Sequence, residues 1–121
     1  MAIKKVLVCD DNPTDRAHIE KIVSGAGCVV ISASGGKEAI EKAKSEKPDL
    51  IFMDVVMPDM DGYATTRALQ GDLATKGIPV VFVTSKNQKA DKVWAQMQGG
   101  KDLVGKPASA DEILEQIRKA A

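Results

Sequence analysis

Short apolar runs recur along this chain at intervals of about 20 to 30 residues, and that spacing limits the folds open to it more than any other feature. The runs are Val6-Leu7-Val8-Cys9, Val29-Val30-Ile31, Leu50-Ile51-Phe52-Met53, Val80-Val81-Phe82-Val83 and Leu103-Val104. Each is too short for a helix and too continuous for a strand with one wet face, so each reads as a strand buried on both faces. Between them lie segments with helical spacing. Ile19, Ile22, Val23 and Ala26 share one face, as do Ala39, Ile40 and Ala43, then Ala90, Val93, Trp94 and Met97, then Ile113, Leu114 and Ile117. The segment from Asp61 to about Leu73 is less periodic, but no breaker interrupts it between Tyr63 and Gln70. Strand and helix therefore alternate five times. That pattern predicts an α/β fold, a doubly wound five-stranded parallel sheet with five helices on two faces and right-handed crossovers.

The punctuation agrees with this. Asn12-Pro13 supplies a cap and a first-turn proline, and Ser109-Ala110-Asp111-Glu112 is a capping box followed by Arg118-Lys119 in the last turn. Gly25-Ala26-Gly27 and Gly99-Gly100 close their helices. At 121 residues one core is expected, a single domain over residues 1–121 with no output domain. Seventeen basic residues balance seventeen acidic ones, so no net field draws the chain to nucleic acid or to an anionic membrane. No apolar stretch approaches the ~20 residues of a membrane span, no signal-peptide pattern opens the chain, and the expected location is cytoplasmic. Cys9 and Cys28 fall at opposite ends of neighbouring parallel strands, too far apart to pair, and are expected to be reduced core thiols.

In such sheets, chemistry gathers at the carboxyl ends of the strands. The first strand ends in Asp10-Asp11, the third in Asp54 and the fourth in Thr84-Ser85, while the fifth leads to Lys106-Pro107. Carboxylates brought this close repel one another unless a cation neutralises them, and an all-oxygen set with room for water and phosphate oxygens suits Mg2+. A lysine adds a fixed positive charge. Together the parts suit phosphoryl transfer onto a carboxylate, with Asp54, alone on the central strand, as nucleophile and Asp10 and Asp11 left to hold metal. A single aspartate at a strand end is more often a helix cap, and Asp59 and Asp61 fit that use. What carries specificity is the conjunction of four strand ends.

These residues resemble the receiver domains of bacterial two-component response regulators. The resemblance covers essentially the whole chain: Val8-Cys9-Asp10-Asp11-Asn12, the run from Asp54 through Met57-Pro58 to Asp61-Gly62, Thr84-Ser85, and Lys106-Pro107. It implies a flavodoxin-like sheet of order 2-1-3-4-5 and Mg2+ bound by Asp10, Asp11, Asp54 and the backbone carbonyl of Val56. Asp54 would be the phosphoacceptor from a sensor histidine kinase, with Thr84 and Lys106 each bonding a phosphate oxygen and Lys106-Pro107 a cis peptide. A downstream protein target would dock on the face of the fourth helix, fifth strand and fifth helix. Such a domain catalyses only its own phosphotransfer and dephosphorylation, and is expected to be a monomer. One residue departs from the pattern: Leu103 stands where the family usually has an aromatic side chain that swings inward when the threonine moves. Asp91-Lys92-Val93-Trp94 and its surroundings are similar to regulators acting with chemotaxis-like systems that control type IV pili and twitching motility. Trp94 lies on the apolar stripe of its helix and is expected to be partly core, with a partner contact as the alternative.

Three other classes compete. A phosphatase of the haloacid-dehalogenase type needs a second acid two residues after its nucleophile, where this chain has Val56. A flavin-binding domain wants hydroxyls and amides after the first strand, where Asp10-Asp11 would repel phosphate. A receiver that serves only as a docking module would fit Leu103 but leaves the complete phosphate-handling set without a use.

Overall fold

The computed structural model describes residues 2–121. Strands β1 (Lys5–Cys9), β2 (Val29–Ala33), β3 (Leu50–Asp54), β4 (Val80–Thr84) and β5 (Asp102–Gly105) alternate with helices α1 (Pro13–Gly25), α2 (Gly36–Glu46), α3 (Gly62–Gln70), α4 (Lys89–Met97) and α5 (Ala110–Ala120). All strand pairs are parallel, in the order β2-β1-β3-β4-β5. The switch in strand order therefore lies between β1 and β3, the strands that end in Cys9 and Asp54.

Alternate residues of the central strands feed two cores. Leu7, Ile51, Met53, Phe82 and Leu103 face Ala39, Ala43, Leu69 and Ala95 of α2, α3 and α4. Val6, Val8, Phe52, Val81 and Val104 face Ile19 and Val23 of α1 and Ile113 of α5. The helices are thus split across both faces. Each large side chain buried in these layers contributes roughly 1.5–3 kcal/mol relative to an exposed one. The caps read from the sequence are in place. Asn12 accepts from the amides of Thr14 and Asp15, and the Ser109–Glu112 box is closed from both sides.

Two expectations fail on the periphery. β2 is not buried on both faces: it is an edge strand, Val29 is 61% exposed and only Ala33 is buried. A short run of valine and isoleucine serves an edge as well as a centre, and nothing local distinguishes the two. In α4 the apolar stripe faces outward. Ala95 is the buried residue, whereas Val93, Trp94 and Met97 are 53%, 48% and 70% exposed. Trp94 is therefore not core: it lies edge-on to Tyr63 with ring centroids 6.4 Å apart, and Tyr63 in turn lies edge-on to the buried Phe82 at 4.9 Å. Cys9 and Cys28 are both buried and free, as expected. Among the described residues no helix is long and apolar enough to cross a membrane.

Candidate functional site

The carboxyl edge of the sheet brings four strand ends to one place. Asp10 leaves β1 with its amide donating to the Ala33 carbonyl, and its Oδ1 accepts from the Asn12 amide at 2.9 Å. Arg16 of α1 donates to the Asp10 carbonyl at 2.8 Å, which fixes the backbone of the turn. Asp54 ends the neighbouring strand, fully inside the sheet. The chain then turns through Asp59, held at φ 69°, and returns at Gly62, whose amide donates to the Val55 carbonyl at 2.8 Å. Gly62 has no alternative there, because a Cβ would collide with the Asp54 carbonyl and reach Val55 Cα at 3.0 Å. Asp61 is an N-cap, accepting from the Ala64 amide at 2.8 Å.

Strand register places the other two groups. Asp54 pairs with Val83, one residue before Thr84, and Thr84 pairs with Gly105, one residue before Lys106. The Lys106 amide closes on the Thr84 carbonyl at 2.8 Å, and the Lys106-Pro107 peptide is cis. Thr84 is buried, its Oγ1 accepting from the Lys86 amide at 3.2 Å. Lys106 Nζ reaches Asp10 Oδ2 at 2.9 Å and Asp54 Oδ1 at 3.2 Å. Asp10, Asp11 and Asp54 each present an oxygen within 4.8 Å of the others. Val56, two residues after Asp54, is exposed. Asp10, Asp11, Asp54 and Lys106 are therefore together, with Thr84 placed next to them by register. One was missed: Asp15 of α1 also meets Lys106, at 3.0 Å. Its place in the first turn of a helix gave it an ordinary use, and the lysine lies 91 residues away in sequence.

Charge in this pocket is unbalanced. Burial, and then the charge of Asp10, push the Asp54 carboxyl up from the usual 3.8 to about 6, with Lys106 pulling the other way. Burial alone would lower the Lys106 ammonium, but Asp10, Asp15 and Asp54 outweigh it and hold its pKa above the ordinary lysine value. Three carboxylates converging here repel one another, and a cation among them would relieve that repulsion. The donors are all oxygen, and they need only a small contraction to reach the roughly 3–4 Å separating neighbouring oxygens on an ion with ~2.0–2.1 Å bonds, so the set fits Mg2+.

A doubly wound parallel sheet with an acidic, lysine-bridged pocket at its switch point defines the structural class of this α/β domain. The chain belongs to the response regulator receiver domain family, whose profile matches residues 6–118. Phosphorylation and Mg2+ binding at an acidic pocket are general properties of that family. The chain is 38% identical to Protein PilH of Pseudomonas aeruginosa over 93% of each chain, and 36% identical to Protein PilG of the same organism over 94% of this chain and 84% of that one. Among solved structures it is similar to the chemotaxis protein CheY4 of Vibrio cholerae, with TM-score 0.91, 28% identity and coverage of 99% and 100%. The receiver family implies a histidine kinase and a downstream target as partners.

Proposed function

We propose that this domain accepts a phosphoryl group on Asp54 from the phosphohistidine of a sensor histidine kinase and passes the signal to a protein partner. The supporting observation is the Lys106 ammonium bridging Asp54 and Asp10 at 3.2 and 2.9 Å beside an all-oxygen triad. An Asp54 oxygen attacks phosphorus, the P–N bond breaks, and the imidazole leaves with its electron pair. Lys106 holds one equatorial phosphate oxygen and the Thr84 hydroxyl another. Asp10, Asp11, Asp54 and the Val56 carbonyl hold Mg2+, which when bound neutralises charge on the transferring group.

The output face in this reading is formed by α4, β5 and α5, where Val93 and Met97 stand exposed. The resemblance to regulators of type IV pili, together with similarity to a chemotaxis protein, supports motility signalling in the cytoplasm. Two free buried thiols suit that reducing compartment. Mass spectrometry that preserves acyl phosphates, after incubation with Mg2+ and acetyl phosphate, tests the acceptor. An adduct on Asp54 is expected, and its absence with an intact fold would reject the reading.

Leu103 favours a second reading, a docking module whose output face ignores phosphate. Its side chain is already buried against the Phe82 layer, so the inward position is filled without a ring that moves. Equal partner affinity with and without beryllofluoride would support this alternative.

A further inference from the structure

Lys106 is shared by more than the pocket acids. Its ammonium donates to Asp15 Oδ2 at 3.0 Å as well as to Asp10 Oδ2 at 2.9 Å, and it lies 3.2 Å from Asp54 Oδ1. Asp15 differs from the other two in kind. It comes from α1, stands outside the metal triad, and its side chain is 45% exposed against 7% for Asp54. It lines, with Lys106, Thr14, His18, Ser85 and Pro107, a cleft of about 550 Å3 beside the triad. Asp15 is open to solvent on the cleft side, so its contact with the lysine does not depend on the two buried pocket acids.

We propose that Asp15 is a positioning residue that competes with Asp54 for Lys106. The proposal rests on Asp54 being the phosphoacceptor and gives the lysine an acidic partner outside the triad in addition to Asp10 and Asp54. When a cation enters the triad, Lys106 is repelled by it, and Asp15 keeps the ammonium at the pocket edge and so favours the cation. When Asp54 carries a phosphoryl group, the same hold opposes binding, because a hydrogen bond the ammonium keeps to Asp15 is one it does not give to a phosphate oxygen. Asp15 therefore acts with opposite sign on the two ligands, which a residue serving only helix stability would not do.

Asp15→Asn removes the charge at constant size, and Asp15→Glu returns it. In the full chain, Mg2+ affinity is read by calorimetry and beryllofluoride affinity, at saturating Mg2+, by NMR titration. With one charge removed at a partly screened site, Asp15→Asn should bind Mg2+ about three- to tenfold more weakly and beryllofluoride more tightly by a similar factor. Asp15→Glu should move both values back toward the wild type. If either affinity is unchanged in Asp15→Asn, or if both move in one direction, the proposal fails while the phosphoacceptor reading stands. A wild-type protein that binds neither probe overturns both.

Discussion

Lys106 Nζ stands 3.2 Å from Asp54 Oδ1, although the lysine follows the last strand and the aspartate ends the central one. The contact joins the two edges of the reactive pocket across β4. It supplies the positive charge within hydrogen-bonding distance of an acid that burial and Asp10 both push toward protonation.

Lys106→Met keeps most of the side-chain volume and removes the charge. Phosphorylation of Asp54 by acetyl phosphate should slow about ten- to hundredfold, since one preorganised partner of the developing phosphate charge is lost. Mg2+ should bind more tightly, because a competing cation is gone. Phosphorylation kinetics at saturating Mg2+ and a calorimetric titration check the two halves; an unchanged rate would mean that the ammonium does not serve the transfer.

Asp54 has a folded pKa of about 6, above the 3.8 usual for the unfolded chain. A raised acid contributes stability that is present below the unfolded value and lost as pH rises through the folded one. The charged form is therefore the destabilising one. In Mg2+-free buffer the stability advantage of Asp54→Asn over wild type should grow between pH 4 and 7, by up to about 3 kcal/mol for a shift near two pH units. Urea denaturation across that range measures it, and an advantage that shrinks with rising pH contradicts the assignment.

Gly62→Ala places a methyl group against the Asp54 carbonyl and Val55 Cα, atoms of backbone that cannot yield without moving the pocket. Destabilisation of about 3 kcal/mol is expected, together with weaker Mg2+ binding. Thermal unfolding with and without Mg2+ tests this; a variant as stable as wild type would show that the turn relaxes freely.

Trp94 and Phe82 sit at opposite ends of one aromatic row through Tyr63, but only Phe82 is buried. Phe82→Ala should lower stability by about 3–5 kcal/mol, whereas Trp94→Ala, at a half-exposed site, should cost about 1 kcal/mol. Denaturant midpoints of the two variants decide whether the tryptophan is held in reserve for a partner. Equal losses would return it to the core.

The alternation of buried runs and helical segments made the sheet and its helices legible, because a doubly buried strand needs a continuous apolar sequence wherever it lies. The same signal failed at β2. Val29-Val30-Ile31 reads as buried on both faces, yet the strand is largely uncovered, since hydrophobicity records a tendency to be covered and says nothing of which neighbour does the covering. In α4 the spacing of Ala90, Val93, Trp94 and Met97 located a helix, yet Ala95 is what the sheet accepts. Ala95, a small residue, is fully buried in the cluster that also holds Phe82 and Leu103.

For the site, Asp10, Asp11, Asp54, Thr84 and Lys106 were legible because each ends its strand or follows it within two residues, and a parallel sheet must bring such ends to one edge. Asp15 was not, because a helix side chain points wherever the packing of α1 against the sheet aims it. Sequence alone determined which residues leave the strands and so which chemistry the edge could hold. Tertiary structure decided how little of β2 is covered, which helix face stays wet and how Lys106 divides between Asp10, Asp54 and Asp15. Those outcomes depend on distances between segments remote in the chain, which no local pattern encodes.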